Sequence, residues 1–225
     1  MLVFGKQTVL YLVEHNPQKI KTLYISKDLD KKLYNKLMRS DFELKRTKPE
    51  HIQQLCKNGN HQGFLAEIEP IELHSVNELK HLQRIVVLTG LTDVGNIGAI
   101  IRSSYALGID AVVISGVKHI QLEQLARSSS GAIFDLPIVH ASNTLDLANM
   151  LKQQEFTLYG ASMDGEDIKK STIEPKFALF VGSEGEGLSQ KIESRLDKKV
   201  SIKMAHDFDS LNVSVATAIL IDRMQ

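Results

Sequence analysis

Apolar and polar positions alternate along this chain with two different periods, and the repeated switch between them predicts strands and helices in turn. Positions 6–14 carry Val9, Leu10, Leu12 and Val13 at helical spacing and stop at Asn16 and Pro17. Residues 21–26 then alternate as a half-buried strand does, 30–39 read as a helix with Leu33 and Leu37 four apart, and 42–47 read as a second strand. Pro49 suits the first turn of a helix ending near Lys57, and a polar loop at 58–63 leads to a strand at 64–68. Residues 1–70 are thus expected to form a small α/β module, with the polar stretch 71–82 as linker.

The second run, 83–225, repeats the pattern at larger scale. Strands are expected at 84–89, 111–115, 137–140, 156–162, 177–181 and 199–204. Helices are expected at 97–107, 122–127 and 144–153, with a final one beginning at Asp209. Gly108 fits the C′ position of the first of these helices, and 165–174 reads as a charged connector. Several strands are short, continuously apolar and separated by helices, which predicts a mostly parallel sheet covered on both faces.

Composition narrows the class. The chain has 225 residues, is 43% apolar and carries no formal net charge. Its charges are unevenly placed: residues 1–70 hold 12 Lys and Arg against 8 Asp and Glu, the remainder 15 against 19. A basic first module on a more acidic second one suits contact with phosphates through the first, or two surfaces that are merely solvated differently. Cys56 is the single cysteine, and the eight histidines show no HExxH spacing, so neither a disulfide nor a metal is expected. No apolar run approaches the length of a membrane span, and the first residues lack a signal-peptide pattern; the expectation is a cytoplasmic protein without a membrane partner.

Two places carry candidate chemistry. The apolar strand 177–181 stops at Gly182, and Gly185 and Gly187 follow with Glu184 among them. A glycine-rich turn at the carboxyl end of a buried strand is where open α/β sheets bind ligands, although a tight strand-to-helix turn looks the same. The turn lacks the Lys-Ser/Thr of a P-loop, and no GxGxxG follows it. Arg102 stands on a helix among Ile100, Ile101, Ser103 and Ser104, where a guanidinium either binds an anion bidentately or snorkels to solvent.

Three segments taken together resemble the motifs of the SpoU (TrmH) family of RNA ribose 2′-O-methyltransferases, within the SPOUT superfamily. The first holds Asp93, Asn96, Gly98 and Arg102; the second Gly182, Glu184, Gly185 and Gly187; the third Ser210, Leu211, Asn212 and Ser214. Val94 and Ser183 stand where the family often has Pro and Asn. Gly5 and the Asn60, His61, Gln62, Gly63 turn resemble the L30e-like substrate-binding domain that precedes the catalytic domain in one branch of the family.

The resemblance implies an α/β SPOUT domain with a deep trefoil knot, a homodimer, and transfer of a methyl group from S-adenosylmethionine to a ribose 2′-hydroxyl. The expected substrate is a guanosine of large-subunit (23S) ribosomal RNA. The alternatives are a tRNA ribose methyltransferase and a non-catalytic RNA-binding or ribosome-assembly factor. By the same resemblance Asn96, Arg102, Glu184, Ser210 and Asn212 line the reaction site. Ser162, Gly182, Glu184, Gly185, Gly187, Ile202, Met204 and Leu211 would hold the cofactor. Ser210 and Asn212 also read as simple caps of the last helix. Lys6, Arg39, Lys45, Arg46 and Lys48 are candidate RNA contacts, while His61 and Gln62 either contact RNA or close a turn.

Overall fold

The computed structural model describes all residues of the chain except Asn58, Glu184, Glu186 and 207–209. In order, the chain forms β1 (Leu2–Phe4), α1 (Lys6–His15), β2 (Ile20–Ile25), α2 (Lys31–Leu37), β3 (Glu43–Arg46), α3 (Pro49–Leu55) and β4 (Phe64–Ile68). It continues through β5 (Arg84–Thr89), α4 (Val94–Ala106), β6 (Ala111–Ser115), α5 (Leu122–Ser128), β7 (Ile138–Ala141) and α6 (Thr144–Gln153). The last elements are β8 (Thr157–Asp167), β9 (Phe177–Val181), α7 (Gln190–Glu193), β10 (Lys198–Ser201) and α8 (Val213–Arg223). These pack as two compact units, Met1–Glu72 with Gln121–Phe134, and Leu73–Ile120 with Asp135–Gln225.

The first unit is built on a four-stranded sheet of order β1-β4-β2-β3. Strand β4 runs antiparallel to both neighbours, and β2 and β3 are parallel, as the intervening helix α2 requires. Three-residue β1 was not expected from the pattern; it is too short to show a period and exists because Val3 pairs with Ala66 on β4. Helix α2 begins at Lys31 because the Asp30 carboxylate accepts the Leu33 amide at 2.8 Å.

Residues 121–134, inside the stretch expected to form the second module, pack with the first unit. The Thr8 hydroxyl donates to the Ala126 carbonyl at 3.4 Å and Lys19 Nζ to the Phe134 carbonyl at 3.0 Å. The Arg127 guanidinium lies 4.8 Å from the centre of the Phe4 ring. Gly131, at φ +97°, is pressed so closely on Tyr11 that a β-carbon there would come within 2.7 Å of the ring. Cys56 is buried in this unit, and its burial pushes the thiol up to about 11.

The second unit holds a six-stranded sheet of order β10-β8-β9-β5-β6-β7, with every neighbouring pair parallel. Ile85, Val87, Val113 and Phe180 bury one face against Leu147 and Leu151 of α6. Val86, Leu88, Val112 and Ile114, on the opposite face, are equally buried, which is why these strands read as unbroken apolar runs. The expected linker is partly ordered. Ser75 and Glu78 form a capping box for a 3₁₀ turn at Val76–His81, whose Leu79 is fully buried in the same core.

Four boundaries near the motifs differ from the sequence pattern. Helix α4 starts at Val94, because Asp93 Oδ1 accepts the Asn96 amide and caps the helix. Strand β8 runs on to Asp167 through the expected connector. A register shift at Lys199/Val200 lets β10 continue along it, and the Ser201 hydroxyl donates to the Gly165 carbonyl at 2.8 Å. Strand β10 therefore ends at Ser201, and α8 starts only at Val213, capped by Asn212. Among the described residues no helix is long and apolar enough to cross a membrane.

Candidate functional site

The parallel sheet sends β5, β8, β9 and β10 to one edge, and the residues singled out by the three motifs follow the carboxyl ends of these strands. Beyond β9, Gly182 is buried and the chain folds back so that Ser183 and Gly187 form an antiparallel bridge, the Gly187 amide donating to the Ser183 carbonyl at 3.0 Å. A β-carbon on Gly182 would lie 2.1 Å from the Gly187 carbonyl, so glycine is demanded there by backbone passing backbone. Gly185 and Gly187 face open space, with no heavy atom within 4 Å of a β-carbon built on either. Glu184, assigned to the site by resemblance, lies outside the described residues.

Helices α4 and α8 pack against each other with their amino ends together. The Asn212 side-chain amide donates to Asn96 Oδ1 at 2.9 Å, while at the other end Gln225 donates to the Leu107 carbonyl. Asn212 serves two purposes at once, since its Oδ1 accepts from the Ser214 amide at 3.0 Å and the Ser214 hydroxyl at 2.6 Å. The first and third motifs are thus joined by one hydrogen bond across 116 residues of sequence. The two helix amino ends place partial positive charge at the same edge of the unit.

The remaining assigned residues are placed differently. Arg102 is exposed and has no hydrogen bond or ion pair with a described residue. It sits six residues beyond Asn96, roughly 9 Å along the helix and about a third of a turn round it. Ser210 is exposed just before the cap of α8, and Leu211 is half-buried. Ile202 is half-buried and Met204 37% exposed beyond the end of β10. Ser162, on β8, donates its hydroxyl to Asp164. That bond first, then Lys199 Nζ at 2.9 Å, holds the Asp164 carboxyl below its usual range.

One polar atom was not anticipated. Thr89 ends β5, one step beyond the Leu88–Val181 pair, and therefore beside Gly182; its Oγ1 is buried without a hydrogen-bond partner among the described residues. Ser104 Oγ and Gln154 Oε1 are likewise buried and unpaired among the described residues, so it is the position of Thr89 beside the glycine turn that points to a ligand or the adjoining loop as its partner. The available signal was positional: the last residue of the strand beside the glycine turn. Open glycine backbone, an orphaned hydroxyl and the apolar side chains of Ile202 and Leu211 suit a nucleoside held by backbone contacts, without a phosphate cradle. No cluster of three metal-ligating side chains occurs among the described residues.

On the first unit, Gly63 donates its amide to His61 Nδ1 at 3.0 Å, and Gln62 Oε1 accepts the Lys6 amide at 3.2 Å. His61 therefore closes its own turn, and Gln62 ties that turn to the first residue of α1. Lys45 pairs with Glu43 at 2.8 Å, which raises the lysine and lowers the carboxyl from their ordinary values, and Arg46 meets Asp28 at 3.4 Å. Arg39 and Lys48 are exposed and have no ion pair with a described residue.

The dual bonding of Asn212 gives a direct test. Asn212→Asp keeps the acceptor that caps α8 but loses the donor to Asn96, whereas Asn212→Ala loses both. The alanine variant is expected to lose about 1 kcal/mol of stability in thermal or denaturant unfolding, the aspartate variant much less. Both are expected to lose the activity of the site. Full activity in the aspartate variant would show that the link to Asn96 is dispensable.

A parallel sheet with a glycine loop and two joined helix ends at its carboxyl edge is where α/β folds hold a small ligand such as a nucleoside. The pattern defining the SpoU rRNA Methylase family matches residues 83–222, and that of the RNA 2′-O ribose methyltransferase substrate binding domain matches residues 2–74. The chain belongs to the SpoU rRNA methylase family and is a methyltransferase.

Among its relatives is the 23S rRNA (guanosine-2′-O-)-methyltransferase RlmB of Escherichia coli K12, 27% identical over 98% of this chain and 96% of that one. A putative TrmH family tRNA/rRNA methyltransferase of Staphylococcus haemolyticus is 29% identical over 90% and 86%. The fold matches the crystal structure of the SpoU methyltransferase AviRb from Streptomyces viridochromogenes in complex with AdoMet. There the TM-score is 0.80 at 24% identity, covering 100% of this chain and 88% of that one.

Proposed function

We propose that the chain transfers a methyl group from S-adenosylmethionine to the 2′-hydroxyl of a guanosine ribose in large-subunit ribosomal RNA. The observation that carries this reading is the pairing of the two family matches. A domain described as binding the substrate of RNA 2′-O ribose methyltransferases precedes the methylase domain, in the arrangement that spans nearly the whole E. coli relative named for 23S rRNA. The tRNA reading keeps its own support, because the S. haemolyticus relative is named for both RNAs. The trefoil knot belongs to the same proposal, supported by the match of residues 83–222 to the SpoU family pattern. So does a homodimer, supported by Tyr105 and Val215, exposed by 42% and 47% on the adjoining helices α4 and α8. A cytoplasmic location belongs to the same proposal, since it is where the proposed RNA substrate would be met.

S-adenosylmethionine supplies a methyl group already activated on a sulfonium, so the chain has chiefly to align two reactants and dispose of one proton. Gly182, Gly185 and Gly187 would accept the adenosine by backbone contacts, with Thr89, Ser162, Ile202, Met204 and Leu211 around it and Glu184 in the same loop. Asn96 and Asn212 hold the ends of α4 and α8 in register, and Ser210 stands exposed beside them, where it would meet substrate. Arg102, a guanidinium and so a poor base, would bind the phosphate beside the target ribose and align the 2′-hydroxyl, with that phosphate or an arginine that has given up a proton assisting removal of the hydroxyl proton.

The test combines calorimetry of S-adenosylmethionine binding with mapping of ribose methylation in total RNA from a strain lacking the gene. Loss of one 2′-O-methylguanosine in large-subunit RNA is expected. A lost mark in tRNA would move the assignment to the alternative, and no cofactor binding would leave a non-catalytic RNA-binding factor.

A further inference from the structure

We propose that the free edge of the first unit's sheet, strand β3, binds a single-stranded RNA segment, with Tyr34 as a base-stacking platform and Arg46 and Lys48 as phosphate contacts. The inference rests on the reading of the chain as an RNA methyltransferase and adds to it the place and the form of RNA that the first unit grips.

Strand β3 is one of the two outermost strands of the sheet, the other being the three-residue β1, and is paired on one side only. Successive residues on a strand point to opposite faces, so Lys45 and Arg46 present a cation on each side of this edge. Each meets a tyrosine: Lys45 Nζ lies 5.8 Å from the Tyr24 ring centre, and the Arg46 guanidinium 5.9 Å from that of Tyr34. The two rings differ in availability. Tyr24 packs against the core residues Ile52, Cys56 and Leu65, whereas Tyr34 is 38% exposed and Met38, one turn further along α2, is 58% exposed. An exposed aromatic ring flanked by a guanidinium and an apolar neighbour is a surface on which an unpaired base can stack.

Charge points to the same partner. Residues 27–48 contain eight Lys and Arg and four Asp and Glu. Three of those carboxylates are engaged: Asp30 caps α2, Glu43 pairs with Lys45 and Asp28 reaches Arg46. The Asp28 contact is 3.4 Å long and fully exposed, a pairing that a phosphate replaces readily with two shorter bonds to the arginine fork. Lys48, two residues beyond the end of β3, is exposed and without an ion pair to a described residue, as is Arg39 before the strand. A duplex would offer phosphates but no base face to Tyr34, so the ring favours a single strand.

The experiment measures fluorescence anisotropy of the full chain with a labelled single-stranded oligoribonucleotide of mixed sequence and with the matching RNA duplex. Tyr34→Ala is expected to weaken single-strand binding about tenfold, the size of one lost base stack, while Tyr34→Phe retains it. Arg46→Ala is expected to weaken binding and to flatten its salt dependence by about one unit of slope. Unchanged circular dichroism and an unchanged thermal unfolding profile in each variant establish that the first unit is folded. The proposal is overturned if the unsubstituted chain binds no single strand, if Tyr34→Ala binds as tightly as the unsubstituted chain, or if the duplex binds more tightly without regard to Tyr34. It is overturned as well if Tyr34→Ala with Met38→Ala alters sedimentation and leaves RNA binding intact, which would make this a protein-contact face. Tyr34-dependent binding without methyl transfer to any RNA would defeat the enzymatic reading and leave this surface standing. Methyl transfer indifferent to Tyr34 would do the reverse.

Discussion

Gly182→Ala is expected to abolish S-adenosylmethionine binding and to lower the stability of the second unit by about 3 kcal/mol, the upper range for overpacking a site that cannot yield. The added β-carbon would stand 2.1 Å from the carbonyl carbon and oxygen of Gly187 and 2.6 Å from the Leu188 amide nitrogen. Those atoms are backbone, held by the Ser183–Gly187 bridge, so no side-chain rotation relieves the clash. The loop must open, and with it the face offered to the adenosine. Two neighbouring glycines serve as controls. Gly185→Ala meets nothing within 4 Å and is expected to leave the melting temperature unchanged; Gly187→Ala meets nothing either but carries φ +64°, for a cost of about 1–2 kcal/mol. Calorimetric binding and thermal unfolding of the three variants check the order. Equal effects at 182 and 185 would mean that glycine at 182 is not there for the close passage.

The same loop shows how much was legible in advance. Strands 84–89, 111–115 and 177–181 were readable to the residue because the parallel sheet is buried on both faces, leaving continuous apolar runs bounded by Gly90, Gly116 and Gly182. The glycine turn at the end of β9 was readable as a turn, and its ligand came only from the resemblance. What the pattern could not carry were relations between distant residues. The Asn212–Asn96 bond spans 116 positions, and the orphaned Thr89 hydroxyl acquires meaning only when β5 and β9 are seen as neighbours. Residues 121–134 mislead for the same reason: periodicity reveals that Leu125 and Ala126 want burial but not which unit buries them. Basic residues were the least legible. Lys45 and Arg46 looked alike beside Arg39 and Lys48 in sequence, yet the first two have carboxylate partners and the last two have none among the described residues.

Arg102→Lys is expected to lower the turnover of RNA methylation about thirtyfold with the affinity for S-adenosylmethionine unchanged, and Arg102→Ala roughly a hundredfold or more. The side chain is exposed and has no partner among the described residues, so its replacement costs the fold little and any loss reports on what it does with substrate. Lysine keeps the charge but presents a point donor in place of the planar fork. If the guanidinium binds a phosphate bidentately, one of two charge-assisted bonds is lost, about 2 kcal/mol of transition-state positioning. A proton-transfer role for the arginine itself predicts otherwise. Lysine, with the lower ordinary pKa, would then be the better base, and the Lys variant would be more active at high pH than the unsubstituted enzyme. Single-turnover rates from pH 7 to 10 separate the two: a constant deficit across the range supports phosphate binding, a deficit that closes as pH rises supports proton removal at residue 102, and a wild-type rate throughout would remove Arg102 from the reaction site.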